Sequence, residues 1–138
     1  MISFIVPGIP VAKGRPRFAR VGKGVRTFTP AKTVRFEERV MLAAQAAGVT
    51  MLTGPVEVSI SAIFGMVGPP RKRKPREAQW KATRPDVENV AKAVLDALNG
   101  IAYRDDAQVV SLFVTKRFAA QGEQPGTCVQ IQQAEALR

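Results

Sequence analysis

The sequence contains no histidine and only one cysteine, Cys128. A lone cysteine excludes an internal disulfide, and the absence of histidine leaves no cluster of residues suited to a zinc site. Cys128 alternates with its neighbours in a predicted strand and has no base nearby, so we expect a small core or surface residue and not a nucleophile. This cysteine usage is typical of the reducing cytoplasm.

Long apolar runs are missing as well. The segment 1–6 is apolar for only a few residues before Pro7, which is too short for a signal-peptide core or a membrane span, and no later stretch is long enough. We therefore expect a soluble cytoplasmic protein with no membrane partner. Its 138 residues, 46% of them hydrophobic, suit one compact domain over 1–138.

Acidic residues are scarce. There are 11 Asp and Glu against 21 Lys and Arg, which gives a formal net charge of +10. A surface of this sign favours polyanions, because each phosphate contact releases counterions and gains affinity. The composition indicates a nucleic-acid-binding protein, and the alternative is a basic but inert surface.

Hydrophobic periodicity predicts six elements in the order strand, helix, strand, helix, strand, strand. The clearest is a strand in which Val56, Val58 and Ile60 share one face while polar residues take the other. Thr29 is the predicted N-cap of the first helix, with Pro30 at its first position. The ranges are 2–6, 30–48, 55–64, 86–98, 109–114 and 127–131. This order predicts an α+β fold with two helices packed on a small mixed sheet in two layers.

Two basic segments interrupt this pattern. Segment 13–26 has no acid and is broken by glycines and a proline, so it is predicted to be a mobile loop. Segment 71–76 is a charge run that follows Gly68, and we expect poor order there without a ligand. The stretches expected to contact DNA phosphates are 13–26 and 71–84, and the residues singled out in them are Lys13, Arg15, Arg17, Arg20, Arg71, Lys72, Arg73, Lys74 and Arg76.

Four of the few acids cluster. Asp86 and Glu88 begin the second predicted helix, and Asp105 and Asp106 precede the third predicted strand. On a surface that attracts phosphate, carboxylates near the binding face would weaken binding unless a cation sits between them and the DNA. Mg²⁺ takes oxygen ligands and needs only one or two carboxylates beside substrate phosphates.

Ordinary structural interpretations of the same residues stay open from spacing alone. Asp86 also suits the role of a helix N-cap, and Glu88 in the first turn complements the helix dipole. Asp105 and Asp106 fit an ordinary turn. Tyr103 to Asp106 is predicted to be a polar turn, and Asp96 is interpreted as a solvated helix residue. Lys92, four residues after Glu88, suits either a helix ion pair or charge stabilisation at a scissile phosphate.

The segment RPDVENVAKAVLDALNGIAYRDDAQVV, residues 84–110, resembles the signature region of the RusA family of Holliday junction resolvases. It joins an acidic pair, a helix carrying Lys92, an Asn-Gly stop and an Asp-Asp pair that leads into a strand. A second segment, KGRPRF at 13–18, followed by the Thr29-Pro30 helix start, resembles the amino-terminal half of phage and prophage members. The chain after Ala119 is similar only loosely.

The resemblance implies a homodimer that depends on Mg²⁺ or Mn²⁺ and makes paired nicks across a four-way DNA junction in recombination and repair. By position it assigns Asp86, Glu88 and Asp106 as metal-binding carboxylates, Asp105 as a contributor, and Lys92 as the catalytic lysine. It implies a bacterial cytoplasm, with phage or prophage origin left open. Many members have aspartate at the position of Glu88, so metal preference or rate could differ while activity survives.

Three rival functions remain at this stage. The first is a basic nucleic-acid-binding module without catalysis, which would give no metal-dependent product. The second is a nuclease acting on flaps, nicks or plain duplex, which the same carboxylates could support. The third is a structural subunit of a larger assembly, in which carboxylate substitutions would have no measurable effect.

Overall fold

The computed structural model describes residues 1–137 and contains seven strands, two α-helices and one short 3₁₀ helix. Five strands form a mixed sheet in the order β1-β7-β4-β6-β5, and β2 and β3 form a separate hairpin. β4 runs parallel to β6 and antiparallel to β7. The elements are β1 Ile2–Pro7, β2 Arg17–Val21, β3 Gly24–Phe28, α1 Ala31–Ala46, β4 Val56–Phe64, β5 Gln79–Trp80, α2 Val87–Leu98, the 3₁₀ helix Asp106–Gln108, β6 Val109–Phe118 and β7 Gly126–Gln133.

The hydrophobic core lies between one face of the five-stranded sheet and the two helices. α1 contributes Phe36 and Val40, and α2 contributes Val90 and Val94, all almost fully buried. The central strand β4 buries alternate residues against them, as its alternation of apolar and polar residues predicts. The predicted α+β architecture with two helices on a mixed sheet is therefore confirmed.

The direction of α2 across the sheet positions the candidate site. Near the start of α2, the Lys116 side chain of β6 donates a hydrogen bond to the carbonyl of Pro85. Near its end, α2 approaches the 3₁₀ helix that precedes β6. The helix therefore runs antiparallel to β6, and each end of α2 lies beside the opposite end of that strand.

Several predicted boundaries need correction. The N-cap of α1 is Pro30 and not Thr29, and it makes no side-chain capping bond. The third predicted strand, β6, continues to Phe118, four residues beyond its expected end. The two-residue strand β5 was not predicted, because it owes its conformation to pairing with the far end of β6. No helix among residues 1–137 is long and apolar enough to cross a membrane.

The expectation of a loop over residues 13–26 is wrong for most of the segment, which folds into the β2–β3 hairpin. Its turn consists of Gly22 and Lys23, and Gly22 has φ of +60°. A glycine at the first of two turn residues fits the type II′ hairpin turn, whose twist matches the flanking strands. The sequence therefore did contain a signal for this hairpin, namely the Gly22-Lys23 pair between the two short strands.

The basic segment 71–76 forms a loop that one side chain holds at both ends, and its poor order without a ligand stays a prediction. The Gln121 side chain accepts hydrogen bonds from the backbone N–H groups of Arg71 and Arg76, at 3.0 and 3.2 Å, and donates one to the Arg71 carbonyl. The loop is thereby closed at its neck while Lys72, Arg73 and Lys74 stay exposed. The sequence of the charge run gives no sign of this contact, because its partner Gln121 lies far along the chain.

Candidate active site

Asp86 and Glu88 lie at the entrance of α2. Asp86 is the N-cap residue, but its side chain makes no capping hydrogen bond, and Glu88 lies in the first turn. Both residues are exposed, and among residues 1–137 neither forms an ion pair within 4.0 Å. Their oxygens are therefore free to accept an outside partner, and the helix N-terminus favours negative charge at this point. We call Asp86 and Glu88 the entrance carboxylates.

The chain that leads into Asp86 is held by a lysine from the sheet. The Lys116 ammonium donates hydrogen bonds to the carbonyls of Thr83 and Pro85, at 2.6 and 2.7 Å. Lys81 donates to the Thr83 hydroxyl at 2.9 Å. Lys81 also lies over the Phe64 and Phe118 rings, 5.1 and 4.8 Å from their centroids. These contacts fix the position of the backbone that presents the entrance carboxylates.

Asp105 and Asp106 lie at the other end of α2, in a well-fastened turn. Asp105 caps the 3₁₀ helix by accepting from the Ala107 N–H at 3.3 Å, and the Gln108 side chain closes a capping box. Gln108 also donates to the carbonyls of Leu52 and Gly54, which ties the turn to the segment before β4. We call Asp105 and Asp106 the turn carboxylates.

Tyr103, expected in a polar turn, is completely buried. Its hydroxyl donates a 2.8 Å hydrogen bond to the Leu95 carbonyl, so the ring and the polar tip both find partners inside the protein. Burial, and then the nearby charges of Asp106, Asp96 and Asp105, raise the pKa of Tyr103 well above its usual range. The turn carboxylates are therefore anchored by a core residue next to them in sequence.

Asp96 and Glu37 join this end of the site, although the sequence indicated a solvated residue at Asp96 and gave no signal for Glu37. Lys13 bridges them, with its ammonium 2.6 Å from Glu37 and 3.1 Å from Asp96. Burial would lower the pKa of Lys13, but its hydrogen bonds to the two carboxylates outweigh that and raise it. Lys13 is engaged in joining α1 to α2, so the structure gives no support to the phosphate contact expected of it.

Electrostatic crowding marks the turn carboxylates. Burial raises the pKa of Asp106, and the proximity of Asp105 and Asp96 raises it further, while a hydrogen bond with Asn99 lowers it. Like charges that approach this closely favour the protonated form of one of them. A cation placed here would relieve that repulsion.

The entrance and turn carboxylates do not meet within one chain. Asp86 and Asp96 are ten residues apart on α2, which places them about 15 Å apart along the helix axis. The 3₁₀ helix that begins at Asp106 contacts α2, and Asp106 is close enough to Asp96 for their charges to interact. Within residues 1–137 no group of three acidic or cysteine side chains is close enough to hold a metal ion. Within the described residues, a single chain therefore does not gather the carboxylates that the resemblance implies into one group.

Lys92 lies between the two carboxylate groups on α2. It is exposed, one turn after Glu88, and within the described part of the chain it forms no ion pair with Glu88 or any other acid. A lysine with an unpaired ammonium beside bare carboxylates is available to a phosphate. The catalytic role that the sequence resemblance implies for Lys92 stays a prediction.

A basic cleft leads to the entrance carboxylates. It is bounded on one side by the segment that precedes β2 and on the other by the segment that ends at Pro85, directly before Asp86. Among the residues that the structure describes, no acidic one lines the cleft. The cationic residues along the cleft are Arg15, Arg17, Lys32, Lys81 and Arg84. The cleft has the charge and the open form that a DNA backbone requires.

The expected DNA-contacting residues thus fall into distinct places. Arg15 and Arg17 line the cleft, whereas Arg20 lies on the hairpin beyond it. In the loop 71–76, Arg76 is partly buried, and its guanidinium donates to the Pro69 carbonyl at 2.6 Å. Lys81 and Arg84 belong to the expected stretch 71–84, whereas Lys32 was not expected at the cleft, because it belongs to α1.

Comparison with known proteins identifies the family of this chain. Residues 7–132 match the family described as Endodeoxyribonuclease RusA. The chain belongs to the RusA endodeoxyribonuclease family. It is also similar to "Uncharacterized protein YqaN" of Bacillus subtilis (strain 168), with 38% identity over 142 residues that cover 98% of each chain.

The RusA match extends over the basic cleft, both carboxylate groups and most of β7, where the sequence resemblance was loose. Membership of a family of endodeoxyribonucleases makes this chain a DNA-cutting protein by class. The purely structural and purely binding alternatives considered from the sequence have no comparable support.

Proposed function

We propose that the protein is a crossover junction endonuclease that resolves four-way DNA junctions by paired nicks, in DNA recombination and repair. The observation that carries the proposal is the basic cleft, whose lining ends at Pro85, directly before the carboxylates of Asp86 and Glu88, which form no ion pair among the described residues. Phosphates drawn into the cleft are led toward the groups expected to cut. RusA family membership supplies the reaction class, hydrolysis of a DNA phosphodiester.

The donor set fits a hard divalent cation, Mg²⁺ or Mn²⁺. All candidate ligands are carboxylate oxygens, and there is no histidine in the chain. We assign Asp86, Glu88 and Asp106 as ligands, with Asp105 beside them. Such a cation, when bound, would supply an activated water and would offset negative charge on the phosphate and the leaving oxygen. Lys92, exposed between the carboxylate groups, would stabilise charge that develops on the phosphate.

Dimerisation would bring the entrance carboxylates of one subunit close to the turn carboxylates of the other. β6 pairs with β4 along one edge, but along its other edge it pairs with β5 only through Arg117 and Phe118. The stretch 109–115 of β6 has no charged residue and no proline, and within the described residues that edge has no strand partner. Val110 and Phe113 are 63% and 67% exposed there. A bare apolar edge of this kind favours pairing with another strand.

The geometry of such a pairing suits a shared site. A copy related by a two-fold axis pairs its β6 antiparallel to the first, so the start of one strand lies beside the end of the other. The start of β6 adjoins the turn carboxylates, and its end adjoins the entrance carboxylates through Lys116. Asp106 of one subunit would then approach Asp86 and Glu88 of the other. Two such sites, related by the same axis, suit the two opposed strands of a junction.

The first experiment compares cutting of a labelled synthetic four-way junction with cutting of a linear duplex of matched sequence, in Mg²⁺, in Mn²⁺ and in chelator. We expect symmetric paired nicks on the junction, no cutting of duplex and no product in chelator. Equal cutting of flaps, nicked duplex or linear duplex would replace junction resolution with a less selective nuclease activity. Tight binding without a metal-dependent product would overturn the enzymatic proposal.

A further inference from the structure

The β2–β3 hairpin stands apart from the rest of the protein. Within residues 1–137 its two strands pair only with each other, and no residue of 17–28 belongs to the hydrophobic core. Almost every residue in it is exposed. A two-stranded hairpin without a packed face is only marginally stable in water. Its shape therefore depends on the tight Gly22-Lys23 turn and on the partner that the hairpin contacts.

The exposed side chains of the hairpin combine two chemistries. Directly paired residues share a face in an antiparallel hairpin, so Phe18 and Thr27 lie on the same face as Arg20 and Val25. The opposite face carries Arg17, Arg26 and Phe28. Phe18 is 73% exposed, more than Phe28 at 46%. The hairpin contains four cationic residues and no acid.

The charge identifies the class of partner. A second copy of the hairpin would place like charges against each other, whereas a polyanion would neutralise them. The arginines alone would be enough to bind phosphates. Phosphate binding does not explain why an aromatic ring and a valine are exposed to water beside the arginines. Aromatic side chains with interleaved cations suit nucleic-acid bases that are not stacked in a duplex. A junction offers such bases at its branch point.

The place of the hairpin in the protein agrees with this partner. Arg17, the first residue of β2, lines the basic cleft, and Pro30, two residues after β3, lines it too. The cleft reaches Pro85 at the entrance carboxylates. The hairpin therefore rises from the same cleft along which the DNA strand is proposed to lie.

We propose that the hairpin is a branch-point wedge, in which Phe18 stacks on an unpaired or unstacked base while Arg20 holds the adjoining phosphate. This inference rests on the proposed action on branched DNA and adds the element that distinguishes a branch from a duplex. Stacking of one base on an aromatic ring contributes roughly 1–3 kcal/mol. The selectivity that Phe18 supplies should therefore be about 5- to 150-fold in junction affinity.

The test measures binding in chelator, so that it does not depend on cutting. Phe18→Ala is expected to weaken four-way junction binding by about 5- to 150-fold and to leave linear duplex binding within about 2-fold. A junction carrying 2-aminopurine at the branch point should change its fluorescence with the unaltered protein and not with Phe18→Ala. Arg20→Ala should weaken binding to both DNAs, because a phosphate contact does not depend on branching.

Leu42→Ala is the matched control, since Leu42 is an apolar residue of α1 that is 66% exposed, and it should bind like the unaltered protein. If Phe18→Ala weakened binding to junction and duplex equally, stacking at a branch would be overturned. Unchanged junction binding would overturn any role for Phe18, and a shift of Phe18→Ala to monomer would make the hairpin an interface between subunits. Failure of the unaltered protein to cut junctions would refute the proposed function separately, because the binding comparison stands without it.

Discussion

Asp106→Asn is expected to bind a four-way junction as the unaltered protein does and to cut it more slowly, by on the order of 10³-fold or more. The substitution keeps the size of the side chain and removes the charge that a cation requires. Asp86→Asn should give the same result, although Asp86 lies at the opposite end of α2. Single-turnover cutting with Mg²⁺ and binding in chelator, measured on the same labelled junction, separate the two effects.

Glu135→Gln provides the control for the carboxylate variants, because Glu135 is an exposed carboxylate outside both groups. It removes the same charge and should change neither binding nor cutting. A parallel loss of binding and cutting by Asp106→Asn would contradict a purely catalytic role for that residue. Full cutting by either aspartate variant would remove that residue from the site.

Val110→Lys combined with Phe113→Lys should dissociate the proposed dimer and abolish paired cutting. Both side chains are exposed on β6, so the substitutions cost little in the folded monomer, but in the proposed dimer they would bring positive charges of both subunits together at the interface. Sedimentation equilibrium should show a shift from dimer to monomer. Cutting should fall with the dimer fraction, because a lone subunit keeps its two carboxylate groups about 15 Å apart.

Ile5→Lys tests whether the effect belongs to the β6 edge. Ile5 lies on β1 at the other edge of the sheet and is 63% exposed, the same fraction as Val110. This variant should remain a dimer and keep its activity. A dimer that survives the β6 substitutions would place the subunit interface elsewhere, whereas an active monomer would contradict the need for two subunits.

The sequence predicted those parts of the fold whose periodicity is strong. The alternation of β4 and the apolar spacing of α2 both reflect burial against the core, so both elements were found close to their actual bounds. The hairpin was missed because its strands bury nothing and therefore carry no periodic signal. β5 was missed because two residues paired with a distant strand leave no pattern.

The candidate site was predicted in its residue types but not in its arrangement. Asp86 and Glu88 do begin a helix, and Asp106 does precede a strand. Asp96 looked like a solvated residue, since only the folded chain brings Lys13 and the turn carboxylates to it. The separation of the two carboxylate groups depends on the direction of α2 across β6, which spacing along a sequence does not specify.

The most direct test of a site shared between subunits mixes two inactive proteins. Asp86→Asn and Asp106→Asn are unfolded together, refolded as a mixture and assayed on the four-way junction. If Asp86 of one subunit works with Asp106 of the other, each mixed dimer contains one site with both substitutions and one intact site. The mixture should then nick at about a quarter of the unaltered activity, one strand at a time and not in pairs. If each chain builds its own site, no intact site can form, and a mixture as inactive as its two components would contradict the shared site.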